Sequence, residues 1–247
     1  MTTNRFFRPI LTAIALPLAL SACGSDDSAT PAKVDAIAVV PPPAGQTWND
    51  VASSTPEGGI VVGNPNAPIK LVEYASHTCP HCADFSKESV GDMEGIVNSG
   101  RVSYELRNQI HDGLDLTMAL LVHCAPPVAS HALANQAWAN LQGIVTTAQA
   151  NDAALQAAMK DQSPQRFVKI AELTGLLDFF GSRGVSREQA TQCLTDKAKS
   201  EAIIKNSTTQ SEELKVDGTP FFFLNGNPLT SRTWPEVKAA LEQAGAR

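Results

Sequence analysis

Cys79-Pro80-His81-Cys82 sets two thiols two residues apart, close enough to pass between a dithiol and a short disulfide. The run before it, Ile69-Lys70-Leu71-Val72-Glu73-Tyr74-Ala75, reads as a mostly apolar buried strand, and Ala83-Asp84-Phe85 onward has helical spacing. Cys79 is therefore expected at a strand-to-helix junction, on the helix's first turn. Unpaired amides and the positive end of the helix dipole favour a thiolate there, so the expected chemistry is thiol–disulfide exchange. Pro80 and His81 lie between the cysteines. The histidine can donate a hydrogen bond or partial positive charge to Cys79, or simply be an exposed helix residue. Glu73 lies in the buried strand, where an acid is costly unless it has a task or a partner.

A second reading gives His77, Cys79, His81 and Cys82 to a metal ion. Four ligands within six consecutive residues can hardly all turn to one tetrahedral ion, and no second C-x-x-C appears, so no metal is expected. Ala83 follows Cys82 where haem attachment requires histidine. His111, His123 and His131 show no comparable spacing and are taken as structural or surface residues, while His77 is near enough to modulate the site.

The elements that must position these groups begin after an amino-terminal address. Arg5 and Arg8 form a positive region and residues 9–22 are apolar but too short to span a bilayer. Residues 1–22 are thus expected to be a signal peptide. Leu20-Ser21-Ala22-Cys23 resembles a bacterial lipobox, which implies cleavage before Cys23 and lipid on its sulfur; ordinary cleavage after Ala22 is the alternative. Of the five cysteines, Cys124 and Cys193 then remain as an even pair. They are expected to form a structural disulfide after export, or else to be two buried thiols.

Loss of Arg5 and Arg8 takes the 19 basic residues to 17 against 25 acids, a net charge of −8. That balance excludes an ordinary nucleic-acid binder and identifies no partner. Residues 23–57 are expected to be a flexible tether. Their Ser, Asp, Ala and Pro content is highest over 24–47, and folded structure is expected to begin within 48–60.

The core elements follow in order: a strand at Ile60-Val61-Val62, the strand from Ile69, the motif helix to about Asn98, and an alternating strand from Val102 to Leu106. Helical signals fill residues 112–213. One helix holds Leu116, Ala119, Leu120 and His123, and a second holds Leu133, Ala137, Trp138 and Leu141; Ser163-Pro164 and Ser186-Arg187-Glu188-Gln189 mark further starts. Phe221-Phe222-Phe223-Leu224 restores strand character, Asn225-Gly226 signals a hairpin, and Thr233-Trp234-Pro235-Glu236 opens a last helix.

Taken together, Glu73, Cys79-Pro80-His81-Cys82 and Gly218-Thr219-Pro220-Phe221-Phe222-Phe223 make the chain resemble the DsbA-like branch of the thioredoxin-fold family over about residues 58–244. It also looks like the lipoprotein members found in some alphaproteobacteria. Thr78 stands where thioredoxin itself has tryptophan. The resemblance implies an α/β thioredoxin fold with an inserted α-helical subdomain: first part 58–111, insertion 112–213, second part 214–247. It implies Cys79 as an exposed nucleophile, Cys82 as the more buried resolving partner and Glu73 as a proton relay. It further implies a cis Thr219-Pro220 bond, where proline alone favours trans, with Thr219 and Pro220 binding an extended substrate segment.

The implied activity is a periplasmic thiol:disulfide oxidoreductase that introduces disulfides into exported proteins with free thiols. It needs no cofactor beyond the Cys79–Cys82 disulfide, and requires a membrane or soluble reoxidant protein. Lipid on Cys23 would hold it to the cell-envelope membrane. Isomerase or reductase activity on the same fold, or a non-catalytic holdase, are the alternatives.

Overall fold

The structure, a computed structural model, describes residues 35–247; the lipobox with Cys23 and the signal segment lie outside the described residues. A short 3₁₀ turn (Trp48–Asp50) leads into β1 (Ala52–Ser54), β2 (Ile60–Gly63) and β3 (Ile69–Ala75). Next come α1 (Pro80–Asn98) and β4 (Val102–Asn108). Eight helices follow: α2 (Gly113–Val122), α3 (Pro127–Ala139), α4 (Leu141–Ala150), α5 (Asp152–Lys160), α6 (Arg166–Leu173), α7 (Leu176–Gly181), α8 (Arg187–Thr195) and α9 (Lys197–Leu214). The chain closes with β5 (Phe221–Leu224), β6 (Asn227–Pro228) and α10 (Trp234–Gln243).

The strands form one sheet in the order β1-β2-β4-β3-β5-β6. β3 and β4 are parallel, joined through α1, while β5 runs antiparallel to β3. Alternation then sorts the side chains into two layers. Ile69, Leu71, Val102, Tyr104 and Phe222 pack on Phe85, Met93 and Val97 of α1 and on Trp234, Val237 and Leu241 of α10. On the opposite face Tyr74, Phe221 and Phe223 cluster with Val216, and α9 covers them, its Gln210 Oε1 accepting the Tyr74 hydroxyl at 2.8 Å. The inserted helices bury a second core, including Leu120, Trp138, Ile170 and Phe180, which also takes in Ile60, Ala75 and Leu106 of the sheet and Cys79 and Cys82. This is a thioredoxin fold with a helical insertion between β4 and β5.

Asn225 and Gly226 take φ of 50° and 80°. These left-handed values make the tight turn that Asn-Gly accommodates between twisted strands. Lys70 pins the turn: its carbonyl accepts from the Asn225 amide at 2.9 Å and its own amide donates to Asn225 Oδ1 at 2.8 Å.

The amino-terminal boundary differs from the expected tether over 23–57. Within its described part, the Ile37 amide donates to the Gly245 carbonyl and the Val40 amide to the Ser99 carbonyl, both at 3.0 Å. Trp48, only 8% exposed, donates its Nε1–H to the Val40 carbonyl at 2.7 Å. Low-complexity composition conceals this, because the segment is held by backbone bonds and one tryptophan and carries no apolar period. β1 lies in the same stretch and pairs with β2. Leu141 also moves: the expected second helix stops at Ala139, and Leu141 opens α4 after Asn140. At Ser163-Pro164 the helix starts later, at Arg166, since Ser163 spends its amide and hydroxyl on Asp161.

Candidate active site

Cys79 is the residue just before α1, with φ −81° and ψ 120°, and Pro80 is the first helical residue. Proline suits that place because its fixed φ fits the helix and its missing N–H would have had no partner. The Cys79 carbonyl accepts from Ala83 at 3.1 Å, the first bond of the helix. The loop Ser76-His77-Thr78 that delivers Cys79 is held from the insertion. Trp138 Nε1 on α3 donates to the Ser76 carbonyl at 3.0 Å, and Asp115 Oδ1 on α2 accepts the His77 amide at 2.8 Å. The helical subdomain thus fixes where the cysteine pair sits against the sheet.

Cys79 is less open than expected: its exposure is 7%, and that of Cys82 is nil. Crowding by the Thr219 loop accounts for this, with Cys79 Sγ 3.4 Å from the Thr219 carbonyl. The Thr219–Pro220 bond is cis. Both thiols are free, and their environments push them apart. Cys79 is held down at about 5, chiefly by a hydrogen bond from the Cys82 thiol, and further by the Thr219 hydroxyl and the backbone amides of Cys82 and His81. Cys82 is pushed upward, first by burial and then because it is the donor to Cys79. One sulfur is therefore an anion at neutrality and the other a thiol.

The Thr219 hydroxyl behaves as a conditional donor. While Cys79 is a thiol its proton goes to the Thr219 carbonyl, and buried Thr219 Oγ1 has no partner. Once the sulfur ionises, this unpartnered hydroxyl can turn its proton to it, and that gain favours the thiolate.

Pro80 and His81 are exposed. The His81 backbone amide is among the groups that hold Cys79 down. Glu73 in β3 is completely buried and raised to about 8 by that burial, against the opposing hydrogen bond from Tyr104. Its charge also raises Cys82. Cys79, Cys82, Glu73, Thr219 and Pro220 are thus brought together. Cys124 and Cys193 lie elsewhere, linked in a disulfide between the end of α2 and α8.

Several contributors carry no sequence signal. Tyr104, Trp138 and Asp115 read as ordinary core or helix positions. Arg232 pairs with Asp217, lies 4.9 Å over the Phe221 ring and reaches the Pro220 carbonyl at 3.4 Å, so it clamps the proline loop. His77 turns into the interior, where Asn108 bridges it to His123 at 3.3 and 2.8 Å. Burial holds the two histidines down at about 3 and about 4, hence neutral. Among the described residues no group of three or more His, Cys, Asp or Glu side chains is placed to hold a metal ion.

The family model for thioredoxin matches residues 55–243. The chain belongs to the thioredoxin family. It is similar to a Rickettsia bellii protein named as a protein-disulfide oxidoreductase, 26% identical over 189 residues, which cover 76% of this chain and 65% of that one. A Rickettsia typhi protein with the same kind of name is 25% identical over 75% of this chain and 61% of its own length. The chain therefore spans just under two thirds of these curated relatives. Among solved structures, a protein-disulfide isomerase from Novosphingobium aromaticivorans superposes with a TM-score of 0.69 at 29% identity, covering 77% of this chain and 99% of that one. Wolbachia pipientis alpha-DsbA1 superposes at 0.61 with 19% identity, over 81% and 96% of the two chains, which extends the fold to a DsbA protein.

Proposed function

We propose that the protein is a DsbA-type thiol:disulfide oxidoreductase that introduces disulfides into exported proteins through a Cys79–Cys82 cycle. One observation carries the reading: Cys79, at the amino terminus of α1, is held down at about 5 beside a Cys82 that is pushed up. A client thiolate attacks Cys79 Sγ of the disulfide, and Cys82 leaves. A second client thiolate attacks the client sulfur of that mixed disulfide and expels Cys79, a good leaving group because its thiolate is stabilised. The client leaves oxidised, with its two electrons on the cysteine pair, and a membrane or soluble partner protein reoxidises the enzyme. Glu73 supplies the proton that Cys82 needs on departure.

Thr219 and Pro220 receive an extended client segment, its backbone pairing at Thr219 beside Cys79 Sγ. His81 adds to the stabilisation of the Cys79 thiolate. Cys124–Cys193 braces the insertion as a structural disulfide. Residues 1–22 direct export to the periplasm, and lipid on Cys23 anchors the protein to the envelope membrane. No metal or cofactor takes part in this scheme.

The test is oxidation of a reduced, unfolded client by stoichiometric oxidised protein. Rapid client thiol loss is expected, abolished in Cys79→Ser with the fold retained; an undiminished rate in that variant would remove the proposal. A second reading, disulfide isomerisation, has support in the name of the Novosphingobium relative. Refolding of a scrambled client separates the two: an oxidase leaves the wrong pairs in place.

A further inference from the structure

The two carboxyl oxygens of Glu73 are not equivalent. Oε2 accepts a hydrogen bond from the Tyr104 hydroxyl, while Oε1 is a buried atom with no partner among the described residues. In the parallel pairing of β3 with β4, Leu71 stands opposite Tyr104 and Glu73 opposite Leu106. Tyr104 and Glu73 therefore share a sheet face on a diagonal, a span that a tyrosine side chain reaches. The Tyr104 ring is backed by His131 on α3, with ring centroids 5.0 Å apart, and His131 Nε2 is itself tied to the Ile60 carbonyl at 2.7 Å. A phenol has one proton to donate, so this bond occupies Oε2 and leaves Oε1 free.

We propose that Tyr104 is the positioning residue for proton transfer at the cysteine pair, binding Oε2 of Glu73 so that Oε1 is the oxygen that exchanges a proton with Cys82. This rests on the reading of Glu73 as the proton carrier. When Cys82 leaves the Cys79–Cys82 disulfide as a thiolate, the proton on Oε1 passes to Cys82 Sγ, and the charge left on the carboxylate is held by the Tyr104 hydroxyl. A cation in the place of Tyr104 would keep the acid ionised and empty of its proton. Burial keeps the Tyr104 phenol neutral, its own ionisation raised well above the usual value.

The titratable groups acting on the carboxyl are Tyr104 from β4 and Cys79 and Cys82 from the start of α1. Uncharged Phe222 stands opposite it on β5. Behind Tyr104, burial holds His131 down at about 4 and so neutral.

The experiment is an infrared titration of the protonated-carboxyl band in the reduced protein, assigned to Glu73 by its loss in Glu73→Gln. Tyr104→Phe removes the donor to the carboxylate and is expected to raise the midpoint by at least about one pH unit. A ring-fluorinated tyrosine at position 104 is a stronger donor of nearly the same shape and is expected to lower it. The fluorinated protein also carries the test if Tyr104→Phe does not fold. A midpoint that stays put on fluorination overturns the proposal. If the midpoint moves while the pH profile of the exchange rate does not, Tyr104 positions the carboxyl but Glu73 is not the proton carrier, and the reading beneath this proposal fails instead.

Discussion

Replacing Cys82 by alanine removes the largest single influence that holds the Cys79 thiolate down, the hydrogen bond from the Cys82 thiol. A hydrogen bond to a charged group is worth about 1.5–3 kcal/mol, or about 1–2 pH units. Cys79 should therefore titrate at about 6–7 in Cys82→Ala, against about 5 in the parent protein. Cys82→Ser keeps a donor in place and should stay close to the parent. His81→Ala keeps the backbone amide that reaches Cys79 and should move the midpoint less than Cys82→Ala does. The assay is the far-ultraviolet thiolate absorbance followed against pH, checked by the pH dependence of alkylation. An alanine variant that titrates where the parent does would refute the claim that one sulfur stabilises the other. The energetic stake follows from the sign of the shift. A depressed thiol stabilises the reduced protein fully above its ordinary value of 9.0, partly at neutrality, and not at all once pH falls below about 5. At about pH 7 this reaches at most about 3 kcal/mol, or about 60 mV of oxidising power.

The reduction potential should fall by about 59 mV per pH unit below about pH 5, where reduction takes up two protons, and by about 30 mV per unit above it, where Cys79 stays ionised; a single slope through that region would contradict the titration. Thr219→Val removes the conditional hydroxyl donor and should raise the Cys79 midpoint by about half a unit to one unit, less than Cys82→Ala, in the same absorbance titration. Removing the disulfide in a Cys124→Ala, Cys193→Ala double variant opens a loop with a sequence separation of 69. It should cost about 2–4 kcal/mol of stability, read from denaturant unfolding, while the Cys79 midpoint stays where it was.

How much of this was legible in the sequence depends on the range of the interaction concerned. The strand at Ile69–Ala75, the helix from Pro80, the Asn225-Gly226 turn and the Thr233 capping box are written in residues a few positions apart, and the structure has each of them. The cysteine pair and the buried acid were visible for the same reason. The partners that tune the site join distant segments. Tyr104 reaches Glu73 across 31 residues, Trp138 reaches Ser76 across 62, and Thr219 meets Cys79 across 140. Nothing in the local pattern of β4 or α3 separates these residues from ordinary core. The packing of residues 37–48 was hidden likewise, since a Pro-rich run shows no period and its fastening residues, Ser99 and Gly245, lie far along the chain.

These long-range contacts have a common electrostatic result. The site is arranged to carry about one negative charge at a time. Cys79 and Glu73 repel each other's ionisation, and Glu73 and Cys82 do the same. Near neutrality the charge of the reduced state therefore sits on Cys79, where donors converge, while Glu73 and Cys82 keep their protons. Forming the Cys79–Cys82 disulfide discharges Cys79. In the proposed cycle a client's attack on that bond would return charge to Cys82, the group least able to hold it, within the field of an acid that still has its proton. Handing that proton over would move the charge to a carboxylate with a hydrogen bond waiting at Oε2. The depressed thiol, the raised acid and the phenol beside it are thus parts of one arrangement, and weakening any of them changes which atom bears the charge.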